Sequence, residues 1–225
     1  MELAKQHLDI GIYTNQRDAQ MAFWGEEIGL PYEELLKAGE GNHQHRHALN
    51  GSVFKLNHTR NELLPGEISG YAELLIARDG IESVQQFIDP DGNKVSLVPS
   101  GHHGVTHIGV QMEVKSLAAS LHFFSKAMGF EQIDDTTFKC ATTLIFLRQN
   151  AGKKPVGEMR HTGFRYLTVQ VFDVVKEHNQ ALAEGGTEGA APLTLGETAK
   201  ISFVRDPDGN WIEISQRASL TGSLA

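Results

Sequence analysis

The sequence predicts an α+β chain of two tandem domains, each built from paired βαβββ modules, with the first domain lacking its second helix. Three observations carry that reading. The segments HLDIGIYT and HIGVQMEV open at His7 and His107, one hundred residues apart. Each is an apolar, β-branched strand followed by a helical stripe and a glycine stop. The segments FIDPDGNKVSLV (87–98) and FVRDPDGNWIEI (203–214) then close the two halves with the same Asp-Pro-Asp-Gly-Asn turn and final strand.

The elements follow in order. In the second copy Leu117, Leu121, Phe124 and Met128 recur at helical spacing. The same offset in the first copy gives Arg17, Met21, Trp24 and Ile28, which keeps three of the four apolar positions. Gly29 and Gly129 stand where a left-handed helix cap is expected. Asn50-Gly51 is a strong hairpin signal, and TTFKCATTLIFLRQ supplies the matching strands in the second half. Asp79-Gly80 reads as a tight hairpin joining YAELLIAR to IESVQQFI. The second half carries 17 more residues between its anchors. Most of them read as a helix from Val174 to Leu182, with Val175, His178 and Leu182 inward and Gly185-Gly186 as its stop. The boundaries expected are 1–100, 104–217 and a tail over 218–225, with PSGHHG (99–104) as linker.

Composition narrows the function. The 225 residues hold 20 Lys+Arg against 28 Asp+Glu, a formal charge of −8, with 40% hydrophobic residues. This is a globular balance without the basic face that nucleic acid or anionic lipid needs. The charge divides unevenly, −7 over residues 1–103 and −1 over 104–225. Lys153, Lys154, Arg160 and Arg165 make the second half the better host for an anionic small molecule, unless they are a solvated loop run. A single cysteine, Cys140, excludes a disulfide framework and a Cys-rich zinc site, and it reads as a small buried apolar residue. No stretch approaches the roughly 18 apolar residues of a membrane span, so a soluble cytoplasmic protein is expected. There is no phosphate loop, nucleophile elbow, CxxC pair or HExxH helix.

The repeated strand–helix–three-strand unit with its terminal F-x-x-D-P-D-G-N-x-x-E strand resembles the vicinal oxygen chelate superfamily. That superfamily includes glyoxalase I, extradiol dioxygenases and bleomycin-resistance proteins. The resemblance implies incomplete barrels around a cavity in which a divalent metal chelates two neighbouring oxygens of a small-molecule substrate. It puts the first-strand ligand on His107 and the last-strand carboxylate on Glu213, with the other two positions falling on Phe146 and Tyr166. His107 and Glu213 are then the metal ligands, and Tyr166 ligates or orients substrate. Fe(II) or Mn(II) is favoured over Zn or Ni. In the first half the corresponding positions fall on His7, Lys55, Tyr71 or Ala72, and Ser96, so that half is expected to be scaffold. The implied activity is a lyase or ring-cleaving dioxygenase. The alternative is a metal-free binding protein of the bleomycin-resistance type, since Phe146, Tyr166, Lys55 and Ser96 replace usual ligands. A homodimer is among the assemblies the resemblance implies.

Other readings stand beside these. His43, His45 and His47 alternate along one strand and so share a face, which suits either a transition metal or a polar strand surface. Glu213 shares a face with Trp211 and Ser215. A carboxylate aimed inward needs a metal, a proton or a cation, with Arg165 or Arg205 as the salt-bridge candidates. Trp24 reads as packing, and His102-His103 as solvated linker.

Overall fold

The computed structural model describes residues 1–39, 41–63, 66–222 and 224. Four β-rich modules follow one another. The first has β1 (Asp9–Thr14), α1 (Arg17–Ala22), β2 (Tyr32–Lys37), β3 (Asn42–Leu49) and β4 (Ser52–Thr59). The second has β5 (Tyr71–Arg78), β6 (Gln85–Ile88) and β7 (Lys94–Pro99), with no helix among its described residues. The third has β8 (Ile108–Val114), α2 (Leu117–His122), β9 (Glu131–Gln132), β10 (Thr137–Cys140) and β11 (Thr143–Gln149). The fourth has β12 (Gly163–Gln170), α3 (Val174–Ala183), β13 (Thr187–Leu195), β14 (Ala199–Arg205) and β15 (Trp211–Arg217). A short α4 (Ala218–Thr221) lies in the expected tail, of which Ser223 and Ala225 fall outside the described residues.

Hydrogen bonds gather these modules into two sheets, but not consecutive module with consecutive module. One sheet runs β13-β14-β15-β12-β1-β4-β3-β2 and joins the fourth module to the first. The other runs β6-β7-β5-β8-β11-β10-β9 and joins the second to the third. The boundary expected near residues 100–104 therefore separates two modules that share a sheet through the antiparallel β5–β8 pair. Any site on either sheet is built from both halves of the chain.

The local signals act as expected with two corrections. Gly29 and Gly129 have φ of 76° and 62°, the left-handed caps of α1 and α2. Before each cap the helix widens into a matching π turn, Phe23–Glu27 and Phe123–Ala127. Asn50 and Gly51, at φ 48° and 87°, turn β3 into β4. Asp79-Gly80 is not a hairpin. β5 and β7 are parallel neighbours and β6 lies beyond β7, so residues 79–84 cross over without a helix. On α3 Val174, Glu177, His178 and Ala181 are buried and Leu182 packs against the core, whereas Val175 is exposed.

Alternation divides each sheet into two faces. Leu8, Ile10 and Ile12, with Phe54 and Leu56, join Trp24 and the residues Ile108, Val110 and Met112 of the other sheet in one continuous core. Trp24 is fully buried, lies 3.8 Å from the Phe54 ring and donates Nε1–H to Gln20 Oε1. The opposite faces of the two sheets are the places where a site can form.

Candidate functional site

On the first sheet the face away from the core carries Asp9 and Gly11 of β1, Lys55 and Asn57 of β4, Tyr166 and Thr168 of β12, and Glu213 of β15. Lys55 sits on one side of β1 and Glu213 on the far side of β12, which is about three strand spacings or ~14 Å in a flat sheet. Their charged ends nonetheless meet. Lys55 Nζ donates to Glu213 Oε2 at 2.7 Å and to Thr168 Oγ1 at 2.7 Å, and Thr168 Oγ1 donates to Glu213 Oε2 at 2.7 Å. Contact across two intervening strands fits a sheet that curls toward this face. Only 1% of the Lys55 side chain is exposed, against 9% for Glu213, so the pair is buried with the carboxylate the more accessible member. Burial pushes the Lys55 ammonium below its ordinary range, and the Glu213 carboxylate pulls the other way.

Tyr166 is the beam of this face. Its ring crosses Gly11, where an added Cβ would fall 2.3 Å from it, so β1 needs glycine at that position. Its hydroxyl oxygen accepts from Asn57 Nδ2 at 3.0 Å and Gln44 Nε2 at 3.3 Å. Burial, and then the Glu213 charge, raise the phenol well above its ordinary range, so it is neutral. Beside Glu213 the rings run edge-on from Tyr166 to Phe203 and from Phe203 to Trp211, at 6.1 and 6.0 Å between centroids. Phe203 and Trp211 are half-buried.

The structure sets Tyr166 and Glu213 on one face of the paired strands β12 and β15. It does not bring His107 to them. His107 packs its ring 5.1 Å from that of His7, and its Nδ1 lies 3.1 Å from Thr106 Oγ1. The histidines that open the two repeats meet each other where the two sheets adjoin, and neither contacts Glu213. The reason is the pairing of modules: the position beside Glu213 belongs to the first module, where Lys55 stands. The cation expected from Arg165 or Arg205 is therefore Lys55. Arg165 instead donates to the carbonyls of Glu158, Met159 and Glu67, and Lys153 to those of Ile68 and Ser69. Those two cations clamp loops instead of receiving an anion. Two signals could have found the site: a lysine inside the apolar run VFKL, and Thr168 two residues beyond Tyr166.

A divalent metal does not fit these residues. Glu213 Oε2 is taken by an ammonium, which has no lone pair to offer, and by a hydroxyl. Among the described residues no three His, Cys, Asp or Glu side chains gather as a metal would need. His43, His45 and His47 share a face as predicted, but it is the face opposite Lys55. There His47 is buried, with Nδ1 3.2 Å from the Leu30 carbonyl, and His43 lies across from His58. Cys140 is buried and its thiol is pushed up to about 12 by that burial, consistent with a packing residue.

The second sheet repeats the plan with other side chains. Register makes Phe146 the counterpart of Lys55, since Gly11 pairs with Lys55 and Gln111 with Phe146. Glu73 matches Tyr166, Leu75 matches Thr168 and Ser96 matches Glu213. Sequence matching pointed to Tyr71 or Ala72, but Glu73 pairs with Gln111 as Tyr166 pairs with Gly11, so Glu73 is the counterpart. Ser96 donates to Glu73. Leu75, Ala77, Val98, Val105 and Leu144 pack together there with Phe146 against them. A cleft of about 420 Å³ remains at the edge, bounded by Phe146, Leu144, Thr137 and Lys139.

Known proteins place this architecture. The description Glyoxalase/Bleomycin resistance protein/Dioxygenase superfamily matches residues 104–214. A single-residue variant of glyoxalase I from Zea mays superposes with a TM-score of 0.77 at 16% identity, covering 100% of this chain and 96% of that one. Glyoxalase I from Zea mays itself gives 0.73 at 16% identity, with 97% of each chain covered. At such identities the likeness is one of fold. No curated protein sequence matches the chain. No helix among the described residues is long and apolar enough to cross a membrane.

Proposed function

Residues 104–214 belong to the glyoxalase/bleomycin resistance protein/dioxygenase superfamily, and from that premise we propose that the chain is a metal-independent member that binds a small molecule in the hollow of its first sheet. One observation carries the reading: Lys55 Nζ, 2.7 Å from Glu213 Oε2, supplies a fixed positive charge to the carboxylate expected to hold a metal. A cation tethered to the chain and a bound dication at the same oxygen exclude one another by Coulomb repulsion. The aromatic rim of Phe203 and Trp211 supports a planar or apolar ligand over a purely ionic one.

Elemental analysis of protein purified without an affinity tag tests this. The expected result is no stoichiometric iron, manganese, zinc or nickel and a melting temperature unchanged by EDTA. Stoichiometric metal that disappears in Glu213→Gln would overturn it. A second reading, a metal-free enzyme using Glu213 as a base, is favoured by one fact: Glu213 Oε1 has no hydrogen-bond partner among the described residues. Its test is deuterium incorporation into hydroxyacetone in D2O, lost in Glu213→Gln.

A further inference from the structure

The Lys55–Glu213 pair does more than displace a metal; it reverses what the hollow offers a ligand. A metal accepts lone pairs, so it selects molecules by their oxygens. Here the positive charge is buried and paired with the carboxylate, with Lys55 at 1% side-chain exposure and Glu213 at 9%. Both hydrogen bonds to Glu213 arrive on Oε2, from Lys55 and Thr168. Oε1 keeps its lone pairs, with no donor assigned to it among the described residues. Next to it stands Phe203, the direct cross-strand partner of Glu213, half-buried and edge-on to Tyr166 and Trp211.

We infer that the ligand of this hollow is a planar molecule bearing an O–H or N–H, which it donates to Glu213 Oε1 while its flat body lies against Phe203. The donor is neutral. Lys55 Nζ stands 2.7 Å from the carboxylate, and Arg217, on the strand of Glu213, lies close enough to act on Lys55. Arg205 lies 5.4 Å over the Trp211 ring. An ammonium ligand would meet a carboxylate whose charge is already paired with Lys55, with Arg217 and Arg205 as further like charges nearby, and so gains little from Glu213. The inference rests on the metal-independent reading, because a metal at Glu213 would use the same oxygens.

Three probes of one shape separate the cases: 2-naphthol, which donates; 2-methoxynaphthalene, which cannot; and 2-naphthylmethylamine, which is cationic. Binding is followed by saturation-transfer NMR and amide shift changes, on the same preparation used for elemental analysis. The expected result is 2-naphthol bound about tenfold or more tightly than 2-methoxynaphthalene, the range for a hydrogen bond to a charged group. The amine should bind more weakly than the naphthol. Glu213→Gln keeps an oxygen for Lys55 and turns an N–H toward the hollow, so the preference should vanish or reverse. Phe203→Ala should weaken both neutral probes alike and leave their ratio unchanged, which tests the site even if Glu213→Gln folds poorly. Equal binding of the two neutral probes, a tighter amine, or no binding of the naphthol at millimolar concentration overturns the inference. Failure of the underlying reading shows separately, as stoichiometric metal in the preparation.

Discussion

The two sheets share one plan and have opposite interiors. At matching positions the first sheet carries Asp9, Gly11, Lys55, Tyr166, Thr168 and Glu213, and the second carries Gly109, Gln111, Phe146, Glu73, Leu75 and Ser96. Matching bulges precede Tyr166 and Glu73, so even the irregularities of the backbone recur. The difference lies in chemistry alone. A buried lysine on the first sheet requires a carboxylate, the carboxylate requires Thr168, and the phenol beside them requires Asn57 and Gln44. On the second sheet Phe146 replaces the lysine, and Leu75 can then replace the threonine and join Val98, Val105 and Leu144. One position decides whether the face is a polar network or a packed wall.

That claim is most directly broken at the two matching positions. Lys55→Met leaves Glu213 buried without its cation, and such a loss typically costs about 3–5 kcal/mol. Phe146→Met exchanges one apolar residue for another on the second sheet, at a cost below about 1.5 kcal/mol. Urea denaturation measures both. In Lys55→Met/Glu213→Leu, with both charges gone, most of the first loss should return. If Lys55→Met costs no more than Phe146→Met, the ion pair does not govern the interior of the first sheet.

The turns that close the sheets sharpen the comparison. Asp206 Oδ1 accepts from the Asp208 and Asn210 N–H groups, and Asp89 does the same for Asp91 and Asn93. Burial pushes Asp206 up to about 6 against the hydrogen bonds from Asn210, and burial raises Asp89 as well. A carboxyl raised on folding binds its proton more tightly in the native state. Its contribution is therefore fully present below pH ~4 and is lost as pH rises through about 6. The two-unit shift corresponds to about 2–3 kcal/mol at most. Asp206→Asn should flatten this fall in stability between pH 4 and 6, measured as the difference in pH slope from the parent. An unchanged slope would mean that Asp206 is ionised in the native state throughout.

How much of this was legible in the sequence differs by level. The repeats, caps and Asp-Pro-Asp-Gly-Asn turns are local chemistry, so Gly29, Gly129 and Asn50-Gly51 could be read one window at a time. Face alternation places Glu213 with Trp211 and Ser215, whereas Tyr166 comes from the family resemblance alone. The choice of partner module is not local. It turns on which strand edges meet, and no residue near His107 records that β1 pairs with β12. His107 was therefore assigned to a carboxylate it does not contact, and Lys55, in the other half of the chain, was assigned to scaffold. Glu73 escaped notice for a related reason: its place opposite Gln111 depends on strand register, and a one-residue slip in matching moves the reading to the other face.

The smallest expected effect concerns Tyr166, and it decides which group a ligand would meet. Tyr166→Phe keeps the ring over Gly11 and removes only the hydroxyl. Asn57 Nδ2 would still donate to the Ile12 carbonyl, and Gln44 Nε2 to Asn57 Oδ1, so neither donor loses its last partner. The cost should be near 1 kcal/mol, the ordinary net value of a hydrogen bond. The Lys55–Glu213 contact does not pass through the phenol, so the tenfold preference for 2-naphthol should survive the substitution. If the preference disappears while stability falls by no more than that, the acceptor facing the ligand is the tyrosine oxygen. Glu213 would then be counter-ion to Lys55 alone, and the first sheet would differ from the second in its supporting charge but not in its binding chemistry.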